Sequence, residues 1–112
     1  MDEFDIKLQE LFANFRRQLP DRLSTCLEAW KDYQENNNKE ALNQLRFQTH
    51  KLAGAASIYG FENIGILAKS IELLVDKFYA GDIKDTQTFS TQLMPQINEL
   101  EQLILAVAQS NN

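Results

Sequence analysis

Apolar residues recur at intervals of three and four along almost the whole of this 112-residue chain. An α-helix has about 3.6 residues per turn, so this spacing places the apolar residues on one face of each helix. No segment of useful length shows the every-second-residue alternation of a half-buried strand. The chain also has only four Gly and two Pro, which leaves few breaks for a fold with many strands. The pattern therefore predicts an all-α protein, and its length suits a single domain spanning 1–112.

Proline, asparagine and glycine divide this pattern into five helical segments. The first has an apolar face and ends before Pro20, a residue that suits the first turn of a new helix. The second stops in the asparagine-rich stretch "ENNN", and the third is expected to start near Asn37 or Asn38, where Asn37 and Glu40 have the spacing of a capping box. Gly60 is expected to end the third segment, since glycine accepts the left-handed conformation of a helix C-terminus.

The last two segments are predicted at about 61–79 and 85–109. Pro95 falls inside the fifth segment and is expected to kink or split it. Short linkers and one apolar stripe per segment predict that segments two to five form an up-and-down antiparallel four-helix bundle. The first segment is expected to be an additional N-terminal helix lying across one end of that bundle.

Charge and composition exclude several classes of function. A formal net charge of −5 argues against non-specific nucleic-acid binding, which needs a basic surface. No apolar run approaches the roughly 20 residues needed to span a bilayer, and the acidic start "MDEFDIKLQE" is not a signal peptide. The single cysteine, Cys26, excludes an internal disulfide and lies on an apolar stripe. We therefore expect a cytoplasmic protein without nucleic-acid or membrane partners, and a monomer by default.

The only histidine, His50, is predicted to point away from the core. At about 100° per residue, His50 lies about 130° from the centre of the apolar stripe of its helix. Ala53, Gly54 and Ser57 leave the neighbouring surface nearly bare, and Phe47 lies on the same exposed side. A glycine inside a helix costs about 1 kcal/mol relative to alanine. Either another molecule approaches His50 closely, or a neighbouring helix packs closely there.

The stretch "THKLAGAASIYG" and the helix after it resemble the signature of histidine-containing phosphotransfer (HPt) domains of multi-step phosphorelays. The family pattern is a His, a Leu-like residue two positions later, a Gly at four, small residues at five and six, and a Gly at ten. The matching residues are His50, Leu52, Gly54, Ala55, Ala56 and Gly60. Helix number and order also agree, so the resemblance covers essentially the whole chain.

The resemblance implies a phosphoryl carrier without enzymatic turnover of its own. His50 would accept a phosphoryl group through Nε2 from the aspartyl phosphate of a receiver domain and pass it to another receiver. The partners implied are response-regulator receiver domains and, as a further candidate, a hybrid sensor histidine kinase. The domain would hold no cofactor, because the receiver supplies Mg²⁺. Imidazole suits this role because it is a nucleophile that is largely neutral near pH 7. The candidate docking residues around it are Phe47, Gly54, Ser57 and Ile58.

Two departures from the family pattern bear on how the site would work. Many members carry Lys three residues after the His, where this chain has Ala53. The candidate electrostatic helpers are therefore Lys51, Arg46 and Lys69, with Lys69 preferred if the helices pair as in the family. Relatives often carry Gln where this chain has Glu72, and a carboxylate could accept the Nδ1–H bond and leave Nε2 free.

The residues also allow functions other than phosphotransfer. The same bundle could bind a receiver or kinase without phosphotransfer, as a non-catalytic docking module, and Ala53 favours this alternative. A structural or adaptor bundle with an incidental histidine is a second alternative. A metal site is disfavoured because one His cannot supply Glu-x-x-His pairs on facing helices. Hydrolase chemistry is disfavoured because Ser57 lies about two helical turns from His50.

Overall fold

The computed structural model describes residues 1–110, which form four α-helices and no strand. The helices are α1 Glu3–Asn36, α2 Lys39–Ile58, α3 Glu62–Tyr79 and α4 Thr86–Gln109. Each packs on two neighbours, in the cyclic order α1, α2, α3, α4. Because the connections are short, neighbouring helices run antiparallel. The all-α class and the up-and-down four-helix bundle are therefore confirmed. None of the four described helices is both long enough and apolar enough to cross a membrane.

The first two predicted segments form one helix, so the prediction of a separate N-terminal helix across one end of the bundle is wrong. α1 continues through Pro20 for 34 residues. A proline inside a helix removes a backbone hydrogen bond and costs about 3 kcal/mol. Phe15, Leu19 and Leu23 lie on both sides of Pro20 and are all buried. Burying each contributes about 1.5–3 kcal/mol, which offsets that cost and holds the helix together. α4 likewise runs through Pro95 without splitting.

The boundary between α1 and α2 differs by one residue from the capping box predicted at Asn37 and Glu40. Asn37 adopts the left-handed conformation (φ 51°) and ends α1. Asn38 is the N-cap of α2, and its side chain accepts a hydrogen bond of 3.0 Å from the Glu40 backbone N–H. Adjacent asparagines suit this arrangement because asparagine tolerates left-handed backbone and also caps helix N-termini.

Side chains of all four helices form one core, which includes the predicted stripe of α2. The stripe residues Leu42, Leu45, Thr49, Leu52 and Ala56 are all buried. Aromatic rings pack near both ends of the core. At one end Phe78 stacks on Phe89 with ring centroids 4.3 Å apart, and at the other Phe15 stacks on Tyr59 at 4.9 Å. Cys26 is also buried, and burial raises the pKa of its thiol to about 11.

Candidate functional site

His50 lies on the outer face of α2, with 60% of its side chain exposed. The preceding residue, Thr49, is fully buried, and its hydroxyl donates to the Leu45 carbonyl at 2.9 Å. The core stripe therefore fixes the rotation of α2, and this rotation presents the imidazole to solvent. An exposed imidazole can meet a group carried by another protein.

Glu72 on α3 holds one edge of the imidazole. Its side chain is only 3% exposed, and Oε2 lies 2.8 Å from His50 Nδ1. An ionised carboxylate can only accept a hydrogen bond, so Nδ1 is the donor in this pair. In the neutral ring the lone pair is then on Nε2. The contact selects the tautomer that a nucleophilic Nε2 requires.

Two cations surround the buried Glu72 carboxylate. Lys69 Nζ lies 3.2 Å from Oε1, and Arg46 Nη2 lies 3.5 Å from Oε2. Arg46 is itself held by Asp76, with Nη2 3.3 Å from Oδ2 and a second bond from Nε to Oδ1. The hydrogen bond to Asp76 raises the pKa of Arg46. A buried charge needs such partners because desolvation alone is costly.

Lys51 lies outside this cluster. Its Nζ is 4.7 Å from the centre of the Phe47 ring, a cation–π contact on the exposed side of α2. Of the three candidate helpers, Arg46 and Lys69 therefore meet at Glu72, and Lys51 covers Phe47 instead.

The bare surface beside His50 has two separate causes. A Cβ built on Gly54 would meet nothing within 4 Å, so this glycine opens space to solvent. A Cβ on Gly65 of α3 would lie 3.0 Å from Ser57 Oγ and 3.3 Å from the Ala53 carbonyl oxygen. α3 therefore approaches the backbone of Ala53 and the side chain of Ser57 closely at Gly65, and a larger residue than glycine would not fit there. Close helix packing therefore occurs beside His50 at Gly65, whereas the surface at Gly54 is open and the approach of another molecule there stays a prediction.

Exposed apolar side chains lie on both helices of the site. Phe47 and Ile58 on α2 are 52% and 75% exposed. Ile66 and Leu73 on α3 are 69% and 46% exposed, and they line the same surface depression as His50. Neither Ile66 nor Leu73 was among the docking residues predicted from the sequence. Their spacing of seven, which puts them on one exposed face of α3 off its buried stripe, was the available signal.

Comparison with known families shows the family to which the chain belongs. The family model described as the Hpt domain matches residues 10–110. Comparisons with curated proteins and with solved structures found no match. Hpt domains are phosphocarrier modules of histidine phosphotransfer in phosphorelays, where they interact with receiver domains. Because the match covers nearly the whole chain, this protein belongs to the Hpt domain family.

Proposed function

We propose that this protein is a phosphorelay intermediate, in which His50 accepts a phosphoryl group from a receiver aspartate and passes it to another receiver. The observation that carries this proposal is the 2.8 Å contact between Glu72 and Nδ1 of a largely exposed imidazole. It orients the ring and leaves Nε2 as the free nucleophile. Such a relay operates in the cytoplasm, and a hybrid sensor kinase is the class of protein that would carry the donor receiver.

The transfer requires no proton movement at this site. The Nε2 lone pair forms the N–P bond, the P–O bond to the receiver aspartate breaks, and its electron pair stays on the departing carboxylate. The Nδ1 proton remains in its hydrogen bond to Glu72, whose negative charge stabilises the positive charge that the ring gains. The reverse steps transfer the group to the next aspartate. Positioning and charge stabilisation account for most of the catalysis in phosphoryl transfer, so little other machinery is needed.

We assign the supporting residues from their contacts. Lys69 is 52% exposed and lies 3.2 Å from Glu72, so its ammonium can turn toward a phosphoryl oxygen. It would replace the cation that Ala53 lacks. Arg46 is anchored by Asp76 and acts on the phosphoryl group only through Glu72. Lys51 has no such contact, and its role is confined to the surface around Phe47.

The docking surface is the apolar rim around His50. Phe47, Ile58, Ile66 and Leu73 supply exposed apolar area, and Gly54 leaves room for a partner to approach the imidazole. Because this rim would serve successive receivers, the interface is expected to be small and transient.

The test is transfer of label from a radiolabelled phospho-receiver in the presence of Mg²⁺, with His50→Gln as the matched control. We expect acid-labile, base-stable label on the wild type and none on the variant. His50→Gln should remain folded, because Arg46 and Lys69 still pair with Glu72, and circular dichroism checks this. Binding of receivers without label would instead establish the docking module, the alternative that Ala53 favours. Label of equal strength on His50→Gln would place the phosphoryl group on another residue.

A further inference from the structure

The facing residues of α2 and α3 follow one antiparallel register. Successive pairs are one or two helical turns apart, and the residue numbers rise along α2 as they fall along α3. The facing pairs are Asn43 with Tyr79, Arg46 with Asp76, His50 with Glu72, and Ser57 with Gly65. Continuing this register places Lys69 level with Ala53. Arg46 and Lys69 therefore flank His50, each about one turn away and in opposite directions along the two helices.

These two cations differ in how firmly they are held. Arg46 makes two bonds to Asp76, from Nε to Oδ1 and from Nη2 to Oδ2 at 3.3 Å, which is the forked geometry of a guanidinium on a carboxylate. Its contact with Glu72 is longer, at 3.5 Å. Lys69 binds Glu72 through one pair of atoms at 3.2 Å, and an ammonium on a flexible stem can turn away from such a contact. Asp76 therefore fixes the direction of the Arg46 guanidinium, whereas Lys69 can reorient.

Arg46 lies close enough to His50 to reach a phosphoryl group if Asp76 did not hold it. The two residues are four apart on α2, so their side chains lie on the same face of the helix. Arg46 Nη2 and His50 Nδ1 contact the same atom, Glu72 Oε2, at 3.5 and 2.8 Å. The fork of a guanidinium matches phosphoryl oxygens as well as it matches a carboxylate. Asp76 and a phosphoryl group on Nε2 would therefore compete for Arg46.

We propose that Asp76 is a positioning residue, which withholds Arg46 from the phosphoryl group and so favours transfer from His50 to the receiver. This inference rests on the proposed function of His50. Transfer to His50 forms the Nε2–P bond and breaks the P–O bond of the aspartyl phosphate, and the reverse step restores both. A guanidinium bound to the phosphoryl oxygens would stabilise phosphohistidine and disfavour the reverse step. With Arg46 held by Asp76, Lys69 is the cation of the two that can approach those oxygens.

The pair of Arg46 and Asp76 contributes little to the stability of the fold. The two side chains are 41% and 39% exposed, and water screens ion pairs at such exposure. Replacing Asp76 with alanine should therefore leave the bundle folded, which circular dichroism checks. The variant then reports on phosphotransfer and not on folding.

The test is the transfer equilibrium between this protein and the radiolabelled phospho-receiver that labels it, obtained as the ratio of forward and reverse single-turnover rates. Asp76→Ala should shift this equilibrium toward phosphohistidine by about three- to tenfold. Weaker docking of the receiver slows both directions equally, so a merely structural effect would not move the ratio. Asp82→Ala removes an acidic side chain from the same surface depression and leaves the bonds between Arg46 and Asp76 in place. It should change the ratio by less than about twofold.

The same substitution in an Arg46→Met background shows whether Asp76 acts through Arg46. There Asp76→Ala should change the equilibrium by less than about twofold, because no guanidinium remains to be released. An equal shift in both backgrounds would mean that Asp76 acts through its own charge alone, and this would overturn the proposal. Label on the wild type with no shift in Asp76→Ala would overturn this inference and leave the proposed function standing. Absence of label on the wild type would overturn both.

Discussion

Replacing Glu72 with alanine should slow phosphotransfer to His50 without unfolding the protein. The variant removes the carboxylate whose Oε2 lies 2.8 Å from His50 Nδ1. Arg46 keeps its bonds to Asp76, and Lys69 is half exposed, so neither cation is left buried without a partner. The imidazole, however, is then free to rotate and to adopt either tautomer.

The expected size of the effect follows from the lost hydrogen bond. A hydrogen bond to a charged group contributes about 1.5–3 kcal/mol, and about 1.4 kcal/mol corresponds to a factor of ten in rate. Because the Glu72 side chain is 3% exposed, water screens this bond little. We therefore expect Glu72→Ala to lower the transfer rate by about 10- to 100-fold.

Glu72→Gln distinguishes the effect of the hydrogen bond that orients His50 from the effect of the negative charge of Glu72. Its amide oxygen can still accept the Nδ1–H bond, but the ion pairs with Arg46 and Lys69 are lost. Those two cations are 41% and 52% exposed, so each pair contributes less than about 1 kcal/mol. Because Glu72→Gln keeps the orienting hydrogen bond but loses the negative charge that stabilises the phosphorylated ring, its transfer rate should lie between those of the wild type and Glu72→Ala.

Two measurements check this argument. Single-turnover transfer from a labelled phospho-receiver gives the rates, and ¹⁵N NMR of the single histidine gives the tautomer. We expect the Nδ1–H form in the wild type and in Glu72→Gln, and a mixture in Glu72→Ala. If Glu72→Ala transferred at the wild-type rate, or if it kept the Nδ1–H tautomer, Glu72 would not be the residue that orients His50.

Four further results are expected. Gly54→Gln should slow transfer at least tenfold by filling the open space beside His50, and transfer at the wild-type rate would show that a partner does not need this space. Gly54→Ala should raise the free energy of unfolding by about 1 kcal/mol, whereas Gly65→Ala should lower it in chemical denaturation because its Cβ would press against α2; equal effects would contradict the close packing. Lys69→Met should slow transfer several-fold, and Lys77→Met, at an exposed lysine on the same helix, should not. If the two variants transferred at the same rate, Lys69 would have no role in the transfer. Cys26 should resist thiol reagents at pH 8 until the protein unfolds, because burial raises its pKa to about 11; rapid labelling of the native protein would contradict this.

The sequence was sufficient to predict what depends on local periodicity. The stripe of α2 fixed the outward direction of His50, and Gly60 and Gly81 both adopt positive φ after a helix, at 83° and 85°. Pro20 shows where local rules fail. Proline has no backbone N–H, and this alone predicts a helix boundary. Whether the helix continues depends on the buried residues on either side of the proline. That burial depends on other helices, which the local pattern does not describe.

The two glycines near the site show a second limit. Gly54 faces open space and Gly65 faces α2, although both are glycines inside helices. A glycine indicates that a side chain is absent without indicating what occupies the space. Only the packing of α2 on α3 distinguishes room for a partner from contact between helices. The spacing of Ile66 and Leu73 indicates an exposed face of α3, but the position of that face beside His50 depends on the same packing.

The charges around His50 have a consequence for the energy of the phosphorylated state. Arg46 and Lys69 balance Glu72 and Asp76, so the four side chains together are neutral. A phosphoryl group adds about two negative charges, and Ala53 supplies no further cation to balance them. Under the proposed function, the site would stabilise the phosphoryl group only weakly. Phosphohistidine would therefore keep a high phosphoryl-transfer potential. Further cations around the phosphoryl group would stabilise phosphohistidine and disfavour transfer to the next receiver.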